Sequence, residues 1–227
     1  MRILVCNVGS TSLKYRLFDM GKSGEEPLAV CSMERVGAPL GRYSYSVTGR
    51  PSVSGELAIT DYEAGIRLML DQIVPGAIPS LDRLSAVAFK VVHGGPMTGV
   101  QLLDEAALDQ MARFNTVAPS HNPPYIAAIR RFSALLPGVA LIGAFETAFH
   151  ASMPPEAYLY PIPKELYTRY GIRRYGFHGE SHAYVSGRVS ALTGGGARRV
   201  ITCHLGGSGS LCAILDGASV DTNLGFS

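Results

Sequence analysis

The sequence predicts an α/β protein in which one domain pattern is started twice. Two observations carry this. The first is a repeated strand–turn–strand signature, ILVCNVGSTSLKYRLFDMG from Ile3 to Gly21 and VITCHLGGSGSLCAILDG from Val200 to Gly217. At one constant offset, Asn7 falls on His204, Gly9 on Gly206, Thr11 on Ser208, Leu17 on Ile214 and Asp19 on Asp216. The second is that, between the copies, continuous apolar runs suited to buried strands alternate with segments of helical spacing. In each copy a β-branched run enters a turn of Gly, Ser and Thr. Backbone N–H and hydroxyl groups in such a turn can hold phosphate. One such turn alone reads equally as an ordinary hairpin. The matched pair predicts two related domains gripping one nucleotide from opposite sides, and hence a phosphotransferase.

Taken in order, the first hairpin spans Arg2 to Asp19. A polar stretch around Gly21 to Pro27 follows, then weaker strand signals through Val47. Asp61 to Ile73 has helical spacing, with Ile66, Leu68, Met69, Leu70 and Ile73 as its apolar face and Pro75 as its stop. Leu84 to Val92 is a nearly continuous apolar run, which suits a strand covered on both faces. Asp104 to Phe114 reads as a helix, and Asn122 to Leu136 as another, with Asn122 at the N-cap and Pro123 at the first position. Val139 to Phe145 is again a buried strand. Ser181 to Leu192 is a helix closed by Gly194 to Gly196. Met153-Pro154-Pro155 interrupts the pattern, so the expected domains are residues 1–150 and 151–227. Only ten residues follow the second hairpin, so the second domain is expected to be incomplete.

Composition excludes several classes. The chain has 227 residues, 47% hydrophobic and 17% charged, which is globular rather than disordered. A net charge of +2 gives no electrostatic case for nucleic acid. The longest apolar runs are too short to cross a membrane, and no signal-peptide pattern opens the chain. Cys6, Cys31, Cys203 and Cys212 form no Cys-x-x-Cys pair and read as reduced thiols of a cytoplasmic protein. Cys6 and Cys203 hold equivalent places in the repeats, where buried strand thiols fit.

Several polar residues stand where chemistry is done. Lys14, just after the Ser-Thr-Ser turn, can pair with a phosphate, or be a solvated lysine on an edge strand. Asn7, Ser10 and Ser12 offer neutral oxygens for phosphate or for Mg²⁺-bound water, and also suit an ordinary turn. Lys90 ends a buried strand, where open α/β sheets bind ligands. His121 stands at a rigid turn before a helix, as a site residue or a cap. Glu146 follows an apolar strand, where it can serve a metal or act as a base, or simply favour a helix N-terminus. RRYGFHGESH, from Arg173 to His182, is the densest polar cluster. His178 and His182 are four apart, but the order is not His-Glu-x-x-His. A loop His178 donating to a transferring phosphoryl group fits better than a zinc ligand.

These segments resemble the acetate kinase family, with its propionate and butyrate kinase relatives. The matching pieces are NVGSTSLKYRLFDMG, VVHGG, APSHNPP, AFETAFHASMPPEAYLYPIP, YGIRRYGFHGESHAYVS and ITCHLGGSGSLCAILDGASVDTNLGFS, in order along nearly the whole chain. The resemblance implies duplicated ribonuclease H-like, actin-like ATPase domains. It implies reversible, in-line phosphorylation of a short carboxylate, acetate first, by ATP with Mg²⁺ or Mn²⁺. By family pattern, Asn7 helps hold the metal. Ser10, Ser12, Lys14 and the run His204, Leu205, Gly206, Gly207 and Ser208 contact ATP. Glu146, His178 and His121 are catalytic, and Lys90, Val92 and Phe177 bind the carboxylate. Family members commonly dimerise, which leaves a homodimer open. Four departures stand out: Lys90 where the pattern has Arg, Glu146 where it has Asp, Ser120 where it has Leu, and Gly-Ser in the second turn where it has Asn-Gly. A second arginine, a distal glutamate and further adenosine loops fall beyond Ser227 in the pattern. The 227-residue chain is therefore expected to be weakly active or inactive. A non-catalytic relative that binds nucleotide or a partner is the alternative.

Overall fold

The computed structural model describes residues 1–21 and 26–225. The expected polar stretch from Gly21 to Pro27 therefore lies partly outside the described residues. Eleven strands and six α-helices are present among the described residues. The chain divides into two units, one of residues 1–90, 102–112 and 120–143, the other of residues 91–101, 113–119 and from Ala144 onward.

The amino-terminal strands are β1 (Arg2–Val8), β2 (Ser12–Asp19), β3 (Ala29–Glu34), β4 (Gly41–Val47) and β5 (Val53–Leu57). Strands β1, β2 and β3 alternate buried residues with more exposed ones, the pattern of a sheet with one face on a core. Helix α1 (Tyr62–Ile73) starts where the Asp61 carboxylate accepts from the Ala64 N–H at 2.8 Å. Strand β6 (Ala86–Val91) lies parallel to β1, and is buried through most of its length, as its continuous apolar run requires. Then come β7 (Val100–Leu102), α2 (Glu105–Ala112), α3 (Asn122–Leu135) and β8 (Ala140–Phe145). The sheet order is β5-β4-β3-β2-β1-β6-β8-β7. Strand β2 is therefore interior, and Lys14 is not on an edge.

Helices α1 and α3 cover the inner face of the first unit. Tyr15 and Phe89 meet Phe132 of α3 at ring-centroid distances of 6.1 and 5.2 Å. Gly65 allows α1 to lie close to β2, because a Cβ there would stand 2.7 Å from Leu13 Cδ1. The expected cap of α3 is corrected: His121 holds the N-cap position, and Asn122 is the first helical residue. The Asn122 amide donates to the Met111 carbonyl at 2.9 Å, so it ties α3 to the end of α2 instead of capping its own helix.

The second unit contains short helices α4 (Pro155–Tyr158) and α5 (Lys164–Tyr170), the longer α6 (Gly179–Leu192), and the sheet β11-β10-β9. Its strands are β9 (Arg199–Leu205), β10 (Gly209–Leu215) and β11 (Ala218–Thr222). Strand β11 lies in the segment expected only as a tail. Buried His150 locks this unit, with Nδ1 2.9 Å from Ser219 Oγ and Nε2 3.0 Å from the Phe177 carbonyl.

The two hairpins are similar but not superposable residue for residue. In the first, Val8 pairs with Leu13 and Asn7 with Lys14. In the second, Leu205 pairs with Gly209 and His204 with Ser210, so its turn is one residue tighter. The outgoing strands keep the expected correspondence: Leu13, Tyr15 and Leu17 are buried, as are Ser210, Cys212 and Ile214. The incoming strands do not. Leu4, Cys6 and Val8 are buried, whereas Ile201, Cys203 and Leu205 are exposed. A one-residue change of register turns every side chain of a strand to the other face. The expectation of a buried Cys203 is overturned for this reason. Among the described residues, no helix is long and apolar enough to cross a membrane.

Candidate active site

In the first unit, the β1–β2 turn is held at both ends. The Gly9 N–H donates to the Ser12 carbonyl at 2.8 Å, and the Tyr62 hydroxyl is shared between the Gly9 and Ser10 carbonyls at 2.7 and 2.8 Å. This leaves Ser10 exposed and Ser12 half-buried. Asn7 and Lys14 are cross-strand partners, so their exposed side chains stand side by side. The buried Tyr125 of α3 fixes Asn7. Its hydroxyl accepts from the Val8 N–H at 3.3 Å and donates to Asn7 Oδ1 at 2.9 Å. Lys90 is exposed and lies one residue past the last β1–β6 pair, Cys6 with Phe89. His121, also exposed, makes no side-chain cap bond.

Tyr125 takes one of the two lone pairs of Asn7 Oδ1. Among the described residues, no group of three or more His, Cys, Asp or Glu could hold a metal ion. This donor set suits Mg²⁺ that keeps its waters and is carried mainly by phosphate oxygens, rather than a cation caged by protein.

In the second unit, Val92 and Phe177 are both 7% exposed. Phe177 belongs to an aromatic cluster built around His93, which stacks on Phe114 at 4.6 Å and meets Tyr175 edge-on at 4.6 Å. The Gly95 N–H donates to His93 Nδ1 at 3.0 Å, which leaves the ring proton on Nε2 when the ring is neutral. Burial lowers its pKa to about 4. Glu146, 7% exposed, follows β8 and is fixed through its backbone. Its N–H donates to the Val91 carbonyl at 2.9 Å, and its carbonyl accepts from Gly179 at 2.9 Å. A Cβ at Gly179 would run into that carbonyl, so only glycine lets α6 begin here. The Glu180 carboxyl is held above its ordinary value, by burial first and by Glu146 second.

His178 is the N-cap of α6 and adopts the left-handed backbone region, with φ of 59°. That conformation is costly for a residue with a Cβ and is concentrated at working sites. The ring stacks on His204 at 4.0 Å. Its Nδ1 is 2.8 Å from Ser210 Oγ, and its Nε2 is 3.2 Å from Ser208 Oγ on the Gly-rich turn. His204 Nδ1 is 2.9 Å from Ser181 Oγ. Exposed Leu205, Gly206 and Gly207 complete the turn.

The expected residues thus fall into two groups. Asn7, Ser10, Ser12, Lys14, Lys90 and His121 belong to the first unit, and Val92, Glu146, Phe177, His178 and the 204–208 turn to the second. Within the second, the structure brings His178, His204 and Ser208 together. Sequence reasoning missed Tyr62, Tyr125 and Ser210, which hold these groups. Only Ser210 left a trace, as the last residue of GGSGS.

The sequence model of the Acetokinase family matches residues 2–227. This chain belongs to that family. Among curated relatives, the acetate kinase of Phocaeicola vulgatus is 43% identical, across the whole of this chain and 58% of the relative. That of Clostridium kluyveri is 41% identical, across the whole chain and 56% of the relative. Two solved structures have the same fold: Porphyromonas gingivalis acetate kinase, with a TM-score of 0.88 at 32% identity, covering all of this chain and 58% of that one, and a propionate kinase from Francisella tularensis, with a TM-score of 0.91 at 31% identity, covering 99% and 57%. This acetokinase chain therefore spans a little over half the length of the relatives it matches. The α/β fold with a large mixed sheet agrees with the sequence expectation.

Proposed function

We propose that this chain carries residues of a carboxylate kinase that converts ATP and a short carboxylate, acetate foremost, into an acyl phosphate and ADP, reversibly. The observation that supports this most is His178, held beside the Gly-rich turn with Nε2 against Ser208 Oγ. An imidazole N–H there suits an oxygen of a transferring phosphoryl group. Such transfer needs little covalent work from protein beyond positioning and charge neutralisation.

On this reading, Lys14, Ser10 and Ser12 neutralise and orient phosphates, and the 204–208 turn supplies further backbone donors. Lys90 provides the positive charge for the substrate carboxylate, as a point charge rather than a bidentate fork. Val92 and Phe177 offer an apolar wall to its alkyl end. Glu146 serves the chemistry as an acid fixed by its backbone, with His121 as a further imidazole. Asn7, held by Tyr125, takes one position near the cation. Mg²⁺ or Mn²⁺, when bound, supplies charge neutralisation on the phosphate oxygens. The buried thiols and the use of ATP suit the cytoplasm.

The test is hydroxylamine trapping of acyl phosphate with acetate, propionate and butyrate. His178→Ala is expected to lower the rate by about 100-fold or more, as loss of one transition-state donor does. A rate indifferent to His178 would remove the reading.

A further inference from the structure

One buried hydroxyl joins two histidines. Ser210 Oγ lies 2.8 Å from His178 Nδ1 and also 2.8 Å from His182 Nε2. His182 Nδ1 in turn lies 2.7 Å from Thr202 Oγ1. Ser210 and His182 are each 1% exposed and Thr202 is 3% exposed, so no water competes along this line. It runs from β9 through α6 and β10 to His178, the proposed hydrogen-bond donor to the phosphoryl group.

We infer that Ser210, His182 and Thr202 are positioning residues that set which nitrogen of His178 carries its proton. The argument is a count of hydrogens. A serine hydroxyl has one hydrogen to give, and a neutral imidazole has one N–H. A buried hydroxyl hydrogen left without an acceptor is costly, so only two orders satisfy every group. In one, Thr202 donates to His182 Nδ1, His182 Nε2–H donates to Ser210, and Ser210 donates to His178 Nδ1. Neutral His178 then carries its proton on Nε2, towards Ser208. In the other, every bond is reversed. His178 donates from Nδ1, and its Nε2 is an acceptor unless the ring is protonated. Protonated His178 donates from both nitrogens, which is compatible only with the second order. A change of charge at His178 is therefore read at His182, and a change at Thr202 is felt at His178 without touching it.

Burial, and then the neighbouring His150, His178 and His204, lower the His182 pKa to about 4, so this ring is neutral at neutral pH. The other titratable groups of the packed elements are Glu180 in the first turn of α6, Glu146 just after β8, and Cys212 of β10, which meets His150 at 3.9 Å, while Tyr184 and Arg188 of α6, Arg199 and Cys203 of β9 and Asp221 of β11 are exposed. Neither carboxyl contributes to the lowered pKa of His182, whose causes are burial and the three histidines. The value of the device to phosphoryl transfer rests on the function proposed above, since an Nε2–H on neutral His178 gives a donor without added charge.

The direct test is long-range proton–nitrogen NMR of the imidazoles in the ¹⁵N-labelled 227-residue chain. As His178 titrates, His182 Nδ1 and Nε2 are expected to move in opposite directions at the same midpoint, the mark of a tautomer exchange. Thr202→Val is expected to change the His178 tautomer ratio at least twofold. Ser210→Ala is expected to uncouple the two rings, Ser210→Thr to restore the coupling. In the acyl phosphate assay, Ser210→Ala is expected to lower kcat roughly 10-fold with little change in KM for ATP. His182 nitrogens that ignore His178 in the unmodified chain would overturn the inference, whatever the variants do. So would a Thr202→Val chain with an unchanged His178 tautomer. Coupled tautomers in a chain that forms no acyl phosphate would leave the inference standing and favour the non-catalytic alternative to the kinase reading.

Discussion

Tyr125 illustrates how a residue outside the turn chemistry governs it. Its hydroxyl joins the Val8 N–H to Asn7 Oδ1. Tyr125→Phe leaves that buried N–H without its acceptor and lets the Asn7 amide turn. The expected costs are about 1 to 2 kcal/mol of stability and a reduced rate at fixed MgATP, read from urea unfolding and the trapping assay. Nothing in the local sequence marks Tyr125, because the contact joins residues more than a hundred positions apart. His93 and His182 make a second prediction at this scale. Burial holds both near pKa 4 in the fold, whereas an unfolded histidine titrates near 6.5. Between those values the unfolded chain takes up protons that the fold refuses, so stability is full above about pH 6.5 and falls as pH drops towards 4. Ordinary carboxylates titrate lower, so the upper part of this window belongs to the histidines. The urea midpoint is expected to be lower at pH 5.5 than at pH 7.5, and equal midpoints would contradict the buried, neutral state of the rings.

At the scale of elements, much of the fold was legible and the exceptions have physical causes. Both hairpins, α1, α3, α6 and the buried β6 and β8 follow from periodicity, turns and stops. The register of the second hairpin does not. Whether a Gly-Ser turn closes over three residues or four depends on backbone hydrogen bonds, and that single residue decides which face of β9 is buried. Strand β11 was missed because Ala-Ser-Val-Asp-Thr has weak strand character and is made a strand by pairing with β10. The reversed face has a measurable consequence. In the native 227-residue chain, Cys203 is expected to react quickly with a thiol reagent. Cys6, Cys31 and Cys212, buried and with raised pKa values, are expected to react only on unfolding. Helix α6 gives a paired test. Gly179→Ala drives a Cβ into the Glu146 carbonyl and is expected to cost roughly 1 to 3 kcal/mol. Gly187→Ala, with open space around it in the same helix, is expected to add about 0.5 to 1 kcal/mol.

For the whole molecule, the expected site residues divide between two units, and each group is organised by its own scaffold. The first presents Asn7 and Lys14 side by side above a turn clamped by Tyr62. The second presents His178 between Ser208, Ser210 and His204. The residue types were legible in the sequence, because Gly, Ser, Lys and His at turns announce phosphate chemistry. The supports were not, because Tyr62, Tyr125 and Thr202 look like ordinary core and surface residues until the chain is folded. The family match spans the residues of both groups, over a chain that covers 58% of the Phocaeicola vulgatus relative. The central claim is that His178 serves phosphoryl transfer to a short carboxylate. The most direct measurement is hydroxylamine-trapped acyl phosphate from MgATP and acetate, propionate or butyrate, comparing the 227-residue chain with its His178→Ala variant. The account predicts acyl hydroxamate from at least one acid and its loss in the variant. Product that persists without His178 would contradict it, and no product from any of the three acids would favour the non-catalytic, nucleotide-binding alternative.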